Sequence, residues 1–367
     1  MTPALDVDVL LADPTIRIVV CCGSGGVGKT TTAAALALRA AEKHGRRTVV
    51  LTIDPARRLA QSLGLTELDN TPRLVPGTRG EHGELNAMML DMKRTFDEVV
   101  AAHTEPRRAA EIFANPFYQA MSSTFSGTQE YMAMEKLSQL RATEHWDLIV
   151  VDTPPSRSAL DFLDAPARLG RFLDGRMLRM LLAPAKAGGR SMFNLVTAGF
   201  GMVSKAVQKV LGAQLLSDLS GFVAALDSMF GGFRERAEQT YRVLQDPQTA
   251  FLVVAAPEPD AVREAAFFAS RLGIEGMPLA GLVLNRVHGM LVEMDPEAAL
   301  AAAKELDGVS DLTADALRVH AALAAQATRE RAVIEGFATE FQHVPVLEVA
   351  AQATDIHDLD GLRAIFS

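Results

Sequence analysis

Short apolar runs punctuate the chain, and most are followed by a stretch with helical spacing. The run RIVVCC precedes residues 28–43, RTVVLTI precedes 55–64, LNAMMLDM precedes 94–103 and AFLVVAA precedes 259–272. WDLIVVD, LAGLVLN and HVPVLEV stand at strand length between the other helical segments. β-Branched runs bounded by Gly, Pro and Asp, alternating with helix-length segments, predict an α/β fold: a mostly parallel, doubly wound sheet with helices on both faces. Between VVDTPP and AFLVVAA the alternation lapses, and the intervening stretch reads as helical. So do residues 94–142 and the Ala-rich residues 296–338. The expected organisation is one domain over 1–367, with 94–142 and 156–245 forming a helical subdomain inserted in it.

Composition narrows the function. With 367 residues, 49% of them hydrophobic, the chain can bury a large core. A net charge of -9 argues against nucleic acid as a partner, because a phosphate backbone selects for basic faces, so any anion site must be local. The two cysteines, Cys21 and Cys22, are adjacent in an apolar run; on a strand their side chains face opposite ways and do not pair. No CxxC occurs, so no zinc is expected. The N-terminal stretch is acidic where a secretory signal needs basic residues, and no charge-free span reaches membrane-crossing length, so a cytoplasmic location is expected, with a place at the membrane periphery as the alternative.

The chemistry is concentrated in one stretch. Gly23, Ser24, Gly25, Gly26, Val27, Gly28, Lys29 and Thr30 fit G-x-x-x-x-G-K-[ST], placed after a strand and before a helix. Glycines let backbone N–H groups converge on phosphates; Lys29 supplies a charge to the terminal phosphates, and the Thr30 hydroxyl a ligand to Mg2+, with Thr31 beside it. The helix start adds its positive end. Two carboxylates end strands, where ligands gather in such sheets. Asp152 is expected to hold Mg2+ through water, and Asp54 to orient or deprotonate an attacking water. Asp before Pro also starts helices, and for Asp54 taken alone that helix-cap reading, for residues 55–64, is the stronger one.

The order of motifs resembles one family. GSGGVGKTTT, LTIDPARRLAQSLG, DLIVVDTPPSRSALDFLDAP and LVLNRV are similar to segments of the arsenite-pump ATPases and tail-anchored-protein targeting factors, in a bacterial, actinobacterial branch of that family. The resemblance runs from about residue 16 to the end, and it implies ATP as the nucleotide. It makes Asp54 the water-positioning aspartate of switch I and Asp152 the start of switch II. Asn285 becomes the residue that hydrogen-bonds the adenine edge, and Pro345 and Val346 part of the loop over the base. Switch II departs from the family form, reading DTPPSRSALD instead of approximately DTAPTGHTLR. The family loop GKGGxGKT carries a lysine that reaches the facing subunit of a dimer; Ser24 stands there. Three readings stay open: another cation such as Arg57 or Arg58 serves a slow ATPase, the protein clamps ATP without turnover, or it pairs with a lysine-bearing relative. Thus the implied partner is a second copy or a related ATPase. The cysteines that bind metalloids in the pumps have no counterpart.

Residues 165–216 form a basic island in an acidic chain, with eight Lys and Arg against Asp174. Phe172, Met177, Met180, Leu181, Met192, Phe193, Phe200 and Met202 interleave with them. The resemblance implies a groove for a hydrophobic client or membrane protein, and an adaptable Met-rich surface suits that role. The same stripe is what an ordinary helical subdomain packs upon itself. A rival of another class is a non-hydrolysing nucleotide-binding regulator. A membrane-positioning switch is disfavoured because DIHDLDGLRAIFS is acidic and short.

Overall fold

The computed structural model describes residues 3–54, 58–80, 82–116, 118, 119, 122, 128–154, 235, 238–290 and 292–366. The chain divides into two compact units, Met1–Leu90 with Leu140–Leu160 and Val243–Ser367, and Asp91–Gln139 with Asp161–Arg242. The eight residues expected to line a client groove, Phe172 to Met202, lie outside the described residues, as does the basic island around them.

In the first unit the apolar runs become β1 (Ile18–Cys22), β2 (Arg47–Thr52), β4 (Glu84–Met89), β5 (Leu148–Asp152), β6 (Thr249–Ala255), β7 (Leu279–Val287) and β8 (Val346–Ala350). With the two-residue β3 (Arg73–Leu74) they form one sheet in the order β3-β4-β2-β5-β1-β6-β7-β8. All neighbours pair in parallel except β3 with β4. β1, β5 and β6 are buried at every position. That burial is why they read as continuous apolar runs rather than alternating ones. The expected α/β class is realised.

Helices connect the strands: α1 (Val7–Ala12), α2 (Lys29–His44), α3 (Arg58–Ser62), α7 (Pro259–Ile274), α8 (Pro296–Glu305), α9 (Asp311–Glu340) and α10 (Leu359–Ala364). The helical stretch expected at 296–338 is two helices, because Gly308 takes φ +74° in the turn between them. β3, whose two residues lie among Pro and Gly, was not expected. Ala33, Ala34, Ala35, Leu36, Ala37 and Leu38 of α2 are buried, so this helix runs inside the unit and its first turn is fixed against the sheet.

The starts of the central strands are tied by one buried arginine. Arg46 donates to the carbonyls of Leu11, Asp13, Ile16 and Asp147 at 3.1, 3.2, 2.5 and 2.6 Å. Beside it Arg47 pairs with Asp147 at 2.9 Å, and Arg17 donates to the carbonyl of Trp146 at 2.8 Å. Trp146, the one tryptophan, packs edge-on to His145 with ring centroids 4.5 Å apart. α10 is held to α2 by a two-point pair, Arg363 to Glu42, at 2.6 and 2.9 Å.

The second unit contributes α4 (Met92–His103), α5 (Pro106–Ala114) and most of α6 (Thr128–Ala142). Tyr118 fills its core, with Phe96 and Phe113 rings 5.4 and 5.7 Å away and its hydroxyl donating to Asp97 at 2.5 Å.

Candidate nucleotide site

Parallel pairing brings the ends of β1, β2 and β5 level: Asp152 registers with Cys21 on one side and Thr52 on the other. The loop from Gly23 to Gly28 rises from β1 into α2 at that edge. Gly23 has φ +148°, and a Cβ there would lie 2.1 Å from the Val254 carbonyl oxygen. Gly28 has φ +94°, and a Cβ there would lie 2.1 Å from Asn285 Nδ2. Both positions demand glycine for backbone angle and for space.

Three polar side chains meet beneath the loop. Thr30 and Thr52 both donate to Asp152 Oδ2, at 2.8 and 2.9 Å. Asp152 Oδ1 is buried with no hydrogen-bond partner. Burial drives the Asp152 carboxyl up to about 6, although both hydroxyls and the Lys29 ammonium act the other way. Lys29 is itself buried, which lowers its pKa, while Asp152, Cys22 and Asp54 oppose that shift. Its Nζ donates to the Ser24 carbonyl at 2.7 Å. Thr153 fixes the strand end by donating from its hydroxyl to the Cys21 carbonyl at 2.9 Å.

A cleft of about 740 Å³ opens over these groups. Gly25, Gly26, Gly28, Lys29, Thr30 and Thr31 line its floor, and Asp54 and Arg58 line it as well. Asn285 reaches it from the end of β7 and donates to the Val27 carbonyl at 2.9 Å. Volume, glycine cradle and a buried ammonium suit a nucleoside polyphosphate. The orphaned Oδ1 of Asp152 beside the Thr30 hydroxyl suits a hard divalent cation bound through water.

Ser24 is buried, and its hydroxyl has no hydrogen-bond partner. Pro345 and Val346 are not brought to the cleft. β8 runs parallel to β7 with Leu282 level with Val346 and Asn285 level with Val349, so residues 345 and 346 sit at the far end of the strand. The part of the chain that does line the cleft follows: Val349 to Gln352 and Thr354 to His357. Arg57 lies outside the described residues, as does the DTPPSRSALD stretch beyond Pro154.

Sequence reasoning missed Thr52, Arg286 and His288. Thr52 could have been found from the equal lengths of RTVVLT and DLIVVD, which place it beside Asp152 in a parallel pair. Arg286 and His288 carry no local signal, because a bulge after Asn285 decides where they point.

The profile of the family described as anion-transporting ATPase matches residues 16–307, a span that includes β1, the glycine loop, Asp54, Asp152 and Asn285. The chain belongs to the anion-transporting ATPase family. Among relatives, an uncharacterized protein of Streptomyces coelicolor is 30% identical over 279 residues, 74% of this chain and 63% of that protein. ATPase GET3B of Arabidopsis thaliana is 26% identical over 287 residues, covering 72% of this chain and 62% of the relative. An ATPase ASNA1 homolog of Cryptosporidium parvum is 26% identical over 278 residues, 74% and 66% of the two chains. The match therefore spans less than two thirds of each relative's length. No helix among the described residues is long and apolar enough to cross a membrane.

Proposed function

We propose that the chain is a cytoplasmic, magnesium-dependent ATPase in which ATP draws two subunits together and reshapes a helical groove for a hydrophobic client or membrane partner. The observation that carries this reading is the Lys29, Thr30 and Asp152 constellation under a glycine cradle. Backbone N–H groups of residues 23–28 bind the phosphates, and Lys29 exchanges the Ser24 carbonyl for the terminal phosphates. Thr30 and Asp152 would hold Mg2+, which when bound spreads the charge of the phosphate oxygens. Asp54, at the cleft wall, orients the attacking water and accepts its proton. Asn285 hydrogen-bonds the base, and residues 94–142 and 156–245 carry the groove as a subdomain of one ATPase domain.

The test is magnesium-dependent hydrolysis of ATP by the purified chain. Wild-type turnover that disappears in Asp54→Asn, with ATP binding retained, supports the reading; unchanged turnover in Asp54→Asn removes Asp54 from its role. A second reading is favoured by Ser24 itself, a buried and uncharged residue that gives this loop no cation at that position. In it the protein binds ATP, hydrolyses it weakly or not at all alone, and pairs with a lysine-bearing relative. Retained ATP binding with turnover only after mixing with such a relative is its signature.

A further inference from the structure

Arg286 is a non-glycine residue in the left-handed region, with φ +64°. Such a conformation is unfavourable for a side chain of this size, and strain of this kind persists where the surroundings impose it. Here both flanks do so. On one side Asn285 is pinned to the loop through the Val27 carbonyl. On the other, the backbone N–H of His288 donates to Glu330 Oε2 at 2.8 Å, and His288 Nδ1 meets Glu330 Oε1 at 2.8 Å. Gln326 donates to the same Oε1 at 2.9 Å, so the α9 carboxylate is fully engaged. Between these anchors the register of β7 against β8 shifts, and the exposed Arg286 lines the cleft. Its guanidinium has no carboxylate partner among the described residues.

We infer that Arg286 is a nucleoside clamp: its planar guanidinium stacks on the base of the bound nucleotide. This rests on the nucleotide reading above. β7 stands two strands from β1, about 10 Å from the strand whose loop holds the phosphates. The nucleoside, not the phosphate chain, reaches β7. A guanidinium over an aromatic face gains both stacking and cation–π attraction, and in a partly closed cleft that is worth about tenfold in affinity.

The full chain is titrated with a fluorescent anthraniloyl-ADP, and bound probe is displaced by ADP and separately by pyrophosphate. Arg286→Ala should weaken ADP about tenfold and leave pyrophosphate displacement unchanged. Arg286→Lys should recover only part of the affinity, because an ammonium keeps the cation–π attraction but has no planar face to stack. Arg286→Gly should raise the melting temperature of the ligand-free protein, by relief of the backbone, while shrinking the rise that ADP induces. Equal losses for ADP and pyrophosphate, full recovery by Lys, or a lower ligand-free melting temperature in Arg286→Gly would each overturn the clamp. If the wild-type chain binds neither probe nor ADP, the nucleotide reading itself fails. If it binds both and Arg286→Ala matches it, only the clamp fails.

Discussion

The two ends of the same strands are built to opposite rules. At the starts of β1, β2 and β5, Arg46 spends its guanidinium on four backbone carbonyls and Arg47 closes on Asp147; among those groups only Arg17 Nε lacks a partner. At the finishes, Asp152 Oδ1 and the Ser24 hydroxyl are buried without partners, Lys29 is buried against a carbonyl, and Arg286 is strained. Buried polar groups are normally satisfied, so a cluster of exceptions marks where a ligand completes the structure. One end is finished by the protein alone. The other leaves buried polar groups that a ligand would complete.

The sharpest way to break that contrast is at Lys29. Lys29→Ala should abolish turnover and weaken ATP about a hundredfold or more, measured by calorimetry, with little loss of fold. At the opposite end the effects should reverse. Arg46→Ala strands four carbonyls and should cost about 3–4 kcal/mol in a urea melt, leaving ATP affinity per folded molecule unchanged. A smaller effect is expected at Asp152. Its carboxyl titrates near 6 in the fold and near 4 unfolded, so between those values the folded state keeps a proton that the unfolded chain has released. Ligand-free stability therefore falls as pH rises from about 4 to 6, by roughly 2–3 kcal/mol, and the penalty is complete above that window. Asp152→Asn should raise the ligand-free melting temperature at pH 7.5, give no gain at pH 4, and lose the stabilisation that Mg-ATP confers. The smallest effect concerns the thiols. Cys22 is pushed up to about 12 by burial and Cys21 is raised as well, so an aromatic disulfide reagent should label neither until the protein unfolds.

Legibility followed periodicity and failed where tertiary register decides. RIVVCC and DLIVVD are continuous apolar runs because their strands are covered on both faces, and such runs announce themselves. GSGGVGKTTT fixed the loop, since its glycines answer to close contacts at Val254 and Asn285 that no other residue tolerates. The place of Pro345 and Val346 at the start of β8 was not legible, because one sequence cannot say how far β8 slides along β7 before the chain turns into the cleft. Arg286 was invisible for a related reason: a one-residue bulge in β7 swings its side chain, and nothing local in LVLNRV encodes it. Ser24 was legible as a departure from the family loop, but its burial was not.

The single tryptophan sits before β5, whose last residue is Asp152. It is largely shielded from water, and six residues of extended chain put it about 20 Å from the aspartate. The molecule thus carries its own optical gauge at the end of the sheet opposite the cleft. Emission from Trp146 should shift to the red when the sheet opens and stay constant while the cleft fills, so one fluorescence channel reads folding with no contribution from ligand.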